Sequence, residues 1–217
     1  MRIGVLGTGT VGQTLGTGLV RAGHEVRMGS RQAGNEKAAA WVAEAGDRAS
    51  EGDFAGAAEF GEVVMNATSG AASLDALGAA GADLLNGKLL IDVANPLDFS
   101  KGMPPTLTVA NDDSLAEQIQ GRFAGARVVK TLNTVTAAVM IDPGALPEPH
   151  TMFISGNDED AKAQAAGLLA DLGWPPGDIL DLGDLTAARG QEMYLPLWLR
   201  LYGAAGSPML NIRVVRG

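Results

Sequence analysis

Two hydrophobic rhythms alternate along this chain. Short runs with continuous Val, Ile, Leu and Met content stand at 2–7, 25–30, 62–67, 88–94 and 127–132. Such runs suit strands covered on both faces, as in a parallel sheet. A further short strand is expected near 48–50. Alanine-rich stretches between them carry the helical period and predict helices over 10–22, 36–45, 69–79, 114–122 and 158–172. Asp113 or Ser114, and Asn157 or Asp158, stand where N-caps are needed. Strands alternating with helices imply an α/β fold with a mostly parallel sheet.

The rhythm changes after Pro143. Pro143, Pro147 and Pro149 punctuate a loop, and 150–155 and 178–182 read as added strands flanking the 158–172 helix. Residues 185–202 read as a helix with Met193, Leu197 and Leu201 on one face and a kink at Pro196. A turn over 203–208 and an apolar, strand-like run over 209–215 follow. The expected organisation is one compact unit, in which a domain over 1–142 is completed by a small C-terminal extension over 143–217.

Composition narrows the function classes. The chain has 217 residues, 46% hydrophobic and 19% charged, enough apolar material for a core. Sixteen Lys and Arg against 25 Asp and Glu leave a net charge of −9, which disfavours nucleic acid and acidic membrane as partners. With no cysteine and two histidines, a disulfide framework, thiolate chemistry and a metal cluster are not expected. The five glycines between Gly4 and Gly16 do not build a signal-peptide core, and the apolar run from Tyr194 stops at Arg200, so a cytoplasmic protein without a membrane span is expected.

Gly7-Thr8-Gly9-Thr10-Val11-Gly12 follows a predicted strand and opens a predicted helix, the context that gives a GxGxxG pattern its meaning. The first glycine permits a tight turn, the second lets backbone approach a pyrophosphate, and the third lets helix pack on strand. The fold expected is therefore a Rossmann-type doubly wound sheet. An NAD-binding member places Asp or Glu at the end of the second strand, about 20 residues on, to bond ribose hydroxyls. Here that place holds Gly29-Ser30-Arg31. A 2′-phosphate is not repelled there; Ser30 can donate to it and Arg31 can form a charge-assisted fork, which points to NADP.

MRIGVLGTGTVGQTLGTGLVRAGHEVRMGSR resembles the opening of the NADPH-dependent coenzyme F420 reductase family (F420H2:NADP oxidoreductases). VVMNATSG, LIDVANPLDF, VVKTLNTVTA and ARGQEMYLPLWLRLYGAAGSPMLNIRVV are similar to its later segments, so the likeness covers nearly the whole chain. The nucleotide half is also similar to the cytosolic part of the membrane metalloreductases. The resemblance implies reversible hydride transfer between C4 of NADP(H) and C5 of the deazaflavin coenzyme F420, with both rings stacked in one cleft, and a homodimer. It implies that Thr8, Ser30 and Arg31 hold the adenine nucleotide. A basic residue often follows four positions after the arginine in this family; here that position is Asn35, with Lys37 two residues on.

Ligands of open α/β sheets bind at the carboxyl ends of the strands. Those ends bring Thr68 and Ser69, Asn95, and Asn133 to the cleft, the first two for pyrophosphate or ribose and the asparagines for the carboxamide or the deazaflavin. The backbone of Thr136 and Ala137 is a further candidate for the nicotinamide edge. Cap and turn roles compete at each of these positions. Lys130 falls within a strand and is expected to point outward, solvated or ion-paired. His24 and His150 are assigned packing or surface roles. Met193, Trp198, Leu199 and Tyr202 offer an apolar wall for a flat ring, and Arg189, Arg200, Arg213 and Arg216 offer charge for a phosphate and glutamate tail. No side chain is assigned an acid–base role, because the two rings supply the electronics and the protein supplies orientation. Two other readings stay open. One is an NADP-dependent reductase of a flavin, ferric chelate, imine or carbonyl, although about 75 residues after Pro143 are too few for the helical domain usual in β-hydroxyacid dehydrogenases and imine reductases. The other is a non-catalytic NADP(H) sensor.

Overall fold

The computed structural model describes residues 1–216. From the N-terminus the elements are β1 (Arg2–Leu6), α1 (Thr10–Arg21), β2 (Glu25–Ser30), α2 (Glu36–Ala45), β3 (Ala49–Asp53), α3 (Phe54–Phe60), β4 (Val63–Asn66), α4 (Gly70–Ala80), α5 (Ala82–Leu85) and β5 (Leu89–Asp92). A small hairpin, β6 (Leu97–Asp98) and β7 (Thr106–Leu107), precedes α6 (Leu115–Arg122), β8 (Arg127–Thr131), α7 (Ala137–Ile141), β9 (Met152–Gly156), α8 (Glu159–Asp171), β10 (Ile179–Asp181) and α9 (Ala188–Ala205).

The main sheet runs β10-β9-β8-β5-β4-β1-β2-β3. Six strands, from β3 to β8, are parallel; β9 turns antiparallel to β8, and β10 runs parallel to β9. The chain leaves β1 toward β2 and β3, then crosses to β4, β5 and β8, so a switch point lies between β1 and β4. This is the expected doubly wound, Rossmann-type sheet with a C-terminal addition.

The continuous apolar runs reflect two cores. Ile3, Val5, Val63, Met65, Leu89, Ile91 and Val129 face the core closed by α1, α2, α7 and α8, with Trp41 and Trp174 in it. The alternate positions Leu6, Val64, Leu90 and Val128 face the core closed by α3, α4 and α6. Side chains alternate across a strand, so burial on both faces makes every position apolar. A Cβ on Gly4 would meet the Ala57 carbonyl at 2.3 Å, which lets α3 lie directly on β1.

Helix starts follow local chemistry. Ser114 caps α6 in a reciprocal box with Glu117, accepting its N–H at 3.1 Å and donating to its carboxylate at 2.7 Å. Asp158 accepts Ala161 N–H at 2.7 Å to cap α8. Asn157 instead accepts Leu185 N–H at 3.0 Å.

Three expectations need correction. The run 209–215 is no strand. It is fastened at Thr151, whose N–H donates to Ile212 O at 2.9 Å and whose hydroxyl accepts Val214 N–H at 3.0 Å. Pro147 and Pro149 just upstream have no N–H with which to extend a ladder. The buried stripe of α9 is Ala188, Gln191, Glu192 and Leu195, whereas Met193 and Leu197 are 37% and 55% exposed. Lys130 is ion-paired, one of its two expected states, but it does not point outward: it is fully buried, because two carboxylates within the molecule neutralise it. Helices α3, α5 and α7 had no counterpart in the periodicity, being one or two turns long. No described helix is long and apolar enough to cross a membrane.

Candidate functional site

The glycine loop links β1 to α1. Gly7 adopts φ +122°, and a Cβ there would meet Ala67 O at 2.5 Å. A Cβ on Gly12 would sit 2.0 Å from Gly7 O, so helix and loop pack backbone to backbone. Gly9 has nothing within 4 Å of its would-be Cβ, and as N-cap of α1 it offers no side-chain bond to the first turn. The turn, the open approach and the close packing thus fall at the first, second and third glycines. Thr10 and Val11 are the first two residues of α1, whose N-terminus favours an anion.

A cavity of about 590 Å³ extends from this loop. Its wall includes Gly7, Thr8 and Gly9, Ser30 and Arg31 at the end of β2, Asn35, Phe54, Ala67, Thr68 and Ser69, and one face of α4. The buried Ser30 hydroxyl donates to Gln32 O and shapes the turn, while Arg31 is exposed at the rim. Asn35 caps α2 by accepting Lys37 N–H at 3.1 Å and Ala38 N–H at 3.2 Å, and Lys37 does not line the cavity.

A second cavity, of about 550 Å³, shares Ala67, Thr68 and Ser69 with the first and continues over the carboxyl ends of β4, β5 and β8. Thr10 and Val11, Asn95, Leu97 and Phe99, Asn133, Thr136 and Ala137, and Leu195, Trp198 and Leu199 of α9 enclose it. None of its lining residues is ionisable. The two asparagines interlock: Asn95 Nδ2 donates to Asn133 O at 2.8 Å, and Asn133 Nδ2 donates to Asn95 Oδ1 at 2.9 Å and to Gln191 O at 3.1 Å. Asn133 Oδ1 and the Thr134 hydroxyl are buried without a partner among the described residues. Leu132, immediately before them, is held at φ +65°, a conformation uncommon for a residue other than glycine. Thr68 Oγ1 donates to Asn66 Oδ1 at 2.7 Å, whereas Ser69, N-cap of α4, makes no side-chain cap bond.

Beneath this chamber lies a charge cluster that the sequence did not reveal. Lys130 Nζ reaches Asp92 Oδ2 at 2.7 Å, Glu192 Oε1 at 2.8 Å and Ala94 O. Asp92 also accepts Asn66 Nδ2 at 2.8 Å, and Glu192 accepts the N–H groups of Leu115 and Ala116 at 2.9 and 3.2 Å. Burial pushes the Glu192 carboxyl above its ordinary range, with Lys130 opposing. Burial works against the charged form of Lys130, but Asp92 and Glu192 outweigh it and raise the ammonium above its ordinary value. The cluster joins β5, β8, α6 and α9, three residues before Leu195 of the chamber wall. Lys130 in a strand and Glu192 in a helix gave no sign of meeting, because their pairing depends on the packing of distant segments.

The remaining candidates divide. Trp198 and Leu199 line the chamber; Met193 and Tyr202 do not. Arg189 is bound to Glu117 at 2.6 and 2.9 Å, and Arg200, Arg213 and Arg216 are exposed away from both cavities. His150 stacks edge-on against Trp174 at 4.9 Å and donates from Nε2 to Pro143 O at 3.0 Å. His24 pairs with Asp171 at 3.1 Å. Both histidines have the packing roles assigned to them.

Comparison with known proteins bears on the same region. Residues 2–96 match the family model described as NADP oxidoreductase, coenzyme F420-dependent. The F420-dependent NADP reductase of Methanothermobacter marburgensis is 31% identical over 210 residues, covering 93% of this chain and 92% of that protein. Metalloreductase STEAP3 of Rattus norvegicus is 29% identical over 205 residues, 91% of this chain; the match spans 38% of the length of that relative. The crystal structure of a candidate F420-dependent NADP-reductase from Arthrobacter sp. FB24 superposes with a TM-score of 0.95 at 51% identity over all of both chains. The chain therefore belongs to the coenzyme F420-dependent NADP oxidoreductase family.

Proposed function

We propose that this protein exchanges a hydride between NADP(H) and the deazaflavin coenzyme F420. The observation that carries the reading is the continuity of the two cavities through Ala67, Thr68 and Ser69. A groove that passes a glycine loop and a Ser-Arg pair, then opens into an uncharged chamber, fits a dinucleotide phosphate with a flat ring beyond it. The open space at Gly9 suits a pyrophosphate, and the unpartnered Asn133 Oδ1 suits the N–H of a carboxamide.

In this reading the Gly7–Gly12 backbone, including Thr8, Thr10 and Val11, holds the pyrophosphate, and Ser30 with Arg31 holds the 2′-phosphate. Thr68 and Ser69 hold the central ribose, while Asn95, Asn133 and the backbone of Ala137 set the nicotinamide edge. Residues 143–217 complete the cleft through Leu195, Trp198 and Leu199 and form one unit with 1–142. When bound, NADPH supplies a hydride from its nicotinamide C4 to C5 of the deazaflavin. Chamber residues align two rings and exclude water; they carry no ionisable group with which to move a proton. The exposed Met193, Leu197, Tyr202 and Met209 suit a homodimer contact, which sedimentation equilibrium would test.

The functional test is anaerobic absorbance with NADPH and oxidised coenzyme F420. Bleaching of the deazaflavin that reverses with NADP and reduced coenzyme is the expected result. Saturable NADPH binding with no bleaching would retire the acceptor assignment.

A further inference from the structure

We infer that Asp75 selects the base of the dinucleotide by accepting a hydrogen bond from the 6-amino group of adenine. The inference rests on the NADP reading of the first cavity. Only two ionisable side chains line that cavity, Arg31 and Asp75. Arg31 lies at the end of β2, where the 2′-phosphate is assigned. Asp75 lies on α4, on the stripe that also presents Ala72, Ala76 and Ala79. The spacing of these four positions places them on one helical face. Ala72 and Ala79, with the largely buried Ala76 between them, make that face an apolar surface on which a planar base can lie, with one carboxylate set into it.

Asp75 is exposed and takes part in no hydrogen bond or ion pair among the described residues, so neither capping nor charge pairing accounts for it. The helix start faces the shared Ser69 end of the groove, and Asp75 stands about 7.5 Å farther along the axis, at 1.5 Å per residue. A carboxylate at either phosphate position would be repelled, and of the remaining parts of the dinucleotide the base, rather than a ribose, suits the apolar alanine face in which Asp75 is set. An ionised carboxylate only accepts hydrogen bonds. Adenine presents an amino donor at C6, whereas hypoxanthine presents an oxygen there and carries its donor at N1, so a carboxylate placed opposite the 6-position accepts from the first and is repelled by the second.

The experiment measures binding of NADPH and of its hypoxanthine analogue, deamino-NADPH, by nicotinamide fluorescence, without any acceptor. Wild-type protein should bind NADPH about tenfold more tightly than the analogue. Asp75→Ala should bring the two within about twofold, mainly by gaining affinity for the analogue, because it also removes a charge that repels both ligands. Asp75→Asn, which can donate as well as accept, should narrow or invert the preference. Equal affinities in wild type, or a preference that survives Asp75→Ala, would overturn the role of Asp75 while leaving NADP binding intact. Failure of NADPH to bind wild type would overturn the NADP reading and this inference together. The substitutions sit on an exposed helical position, and unchanged circular dichroism would show that the fold is retained.

Discussion

Replacing Lys130 with Met tests whether the charge cluster under the chamber is held by this one cation. Lys130, Asp92 and Glu192 are 0 to 1% exposed, so the variant leaves two carboxylates in the interior with no opposite charge. Their residual partners are the Asn66 amide and the Ala94 N–H for Asp92 and two backbone N–H groups for Glu192. Removing one member of such a buried set costs about 3–5 kcal/mol, a large share of the roughly 5–15 kcal/mol that holds a domain together. With a urea slope of about 3 kcal/mol/M, the unfolding midpoint at pH 8 should fall by about 1–1.7 M. The pH dependence adds an independent check. Burial already raises the Glu192 carboxyl above its unfolded value of 4.5, and losing Lys130 raises it further. A raised carboxyl binds its proton more tightly in the folded state, so lowering the pH favours folding of the variant. The stability gap to wild type should therefore narrow between pH 8 and pH 5. In wild type the Lys130 ammonium is raised above 10.5, so its contribution is complete below that pH and is lost only as the pH climbs through the elevated value. A gap under about 0.5 kcal/mol at pH 8, or one that widens toward pH 5, refutes the reasoning.

Four other perturbations separate ligand binding from the stability of the fold. Gly9→Ala has open space and an ordinary φ of −79°, so it should leave the thermal midpoint within about 2 °C while weakening NADPH binding at least about tenfold by calorimetry. Gly12→Ala forces a Cβ to within 2.0 Å of Gly7 O and should cost about 1–3 kcal/mol in chemical denaturation before any ligand is added. Arg31→Glu should lower affinity for NADP far more than for NAD in parallel titrations; equal losses would remove the 2′-phosphate from this position. The Arg189 guanidinium holds the Glu117 carboxyl below its ordinary 4.5. The stability this pair contributes is present above pH 4.5 and is lost as the pH falls through the depressed value, so the acid sensitivity of Glu117→Gln should be weaker than that of wild type below pH 4.5.

The nucleotide half was legible because its signals are local. Val and Ile runs give doubly buried strands, the glycines at 7, 9 and 12 are spaced for one turn, and the absence of a carboxylate at Gly29-Ser30-Arg31 is visible without any tertiary knowledge. Short-range chemistry narrowed two caps to adjacent pairs, Asp113 or Ser114 and Asn157 or Asp158, and Ser114 and Asp158 are the ones that cap their helices. Helix α9 was harder. Its apolar residues recur at helical spacing on one side, yet the helix turns its polar pair Gln191 and Glu192 inward. The partners that make this favourable are Lys130 and the start of α6, more than 60 residues away in the chain, and no periodicity records them.

The same non-local cluster ties the wall of the chamber to the strand ends beside the glycine loop. Gln191 Nε2 donates to Lys130 O at 3.2 Å, and the Gln191 carbonyl accepts Asn133 Nδ2. Asn133 interlocks with Asn95, whose preceding residue Ala94 has its carbonyl bound by Lys130. A helix attached by apolar contacts alone can rotate or slide at little cost, because such contacts are non-directional. Two adjacent polar residues with fixed partners set both the rotation and the axial position of α9. That constraint places Leu195, Trp198 and Leu199 over the carboxyl ends of β5 and β8. The charge cluster therefore does not need to stabilise the fold more than an apolar core would; its directional bonds define where the outer wall of the chamber stands relative to the nucleotide loop.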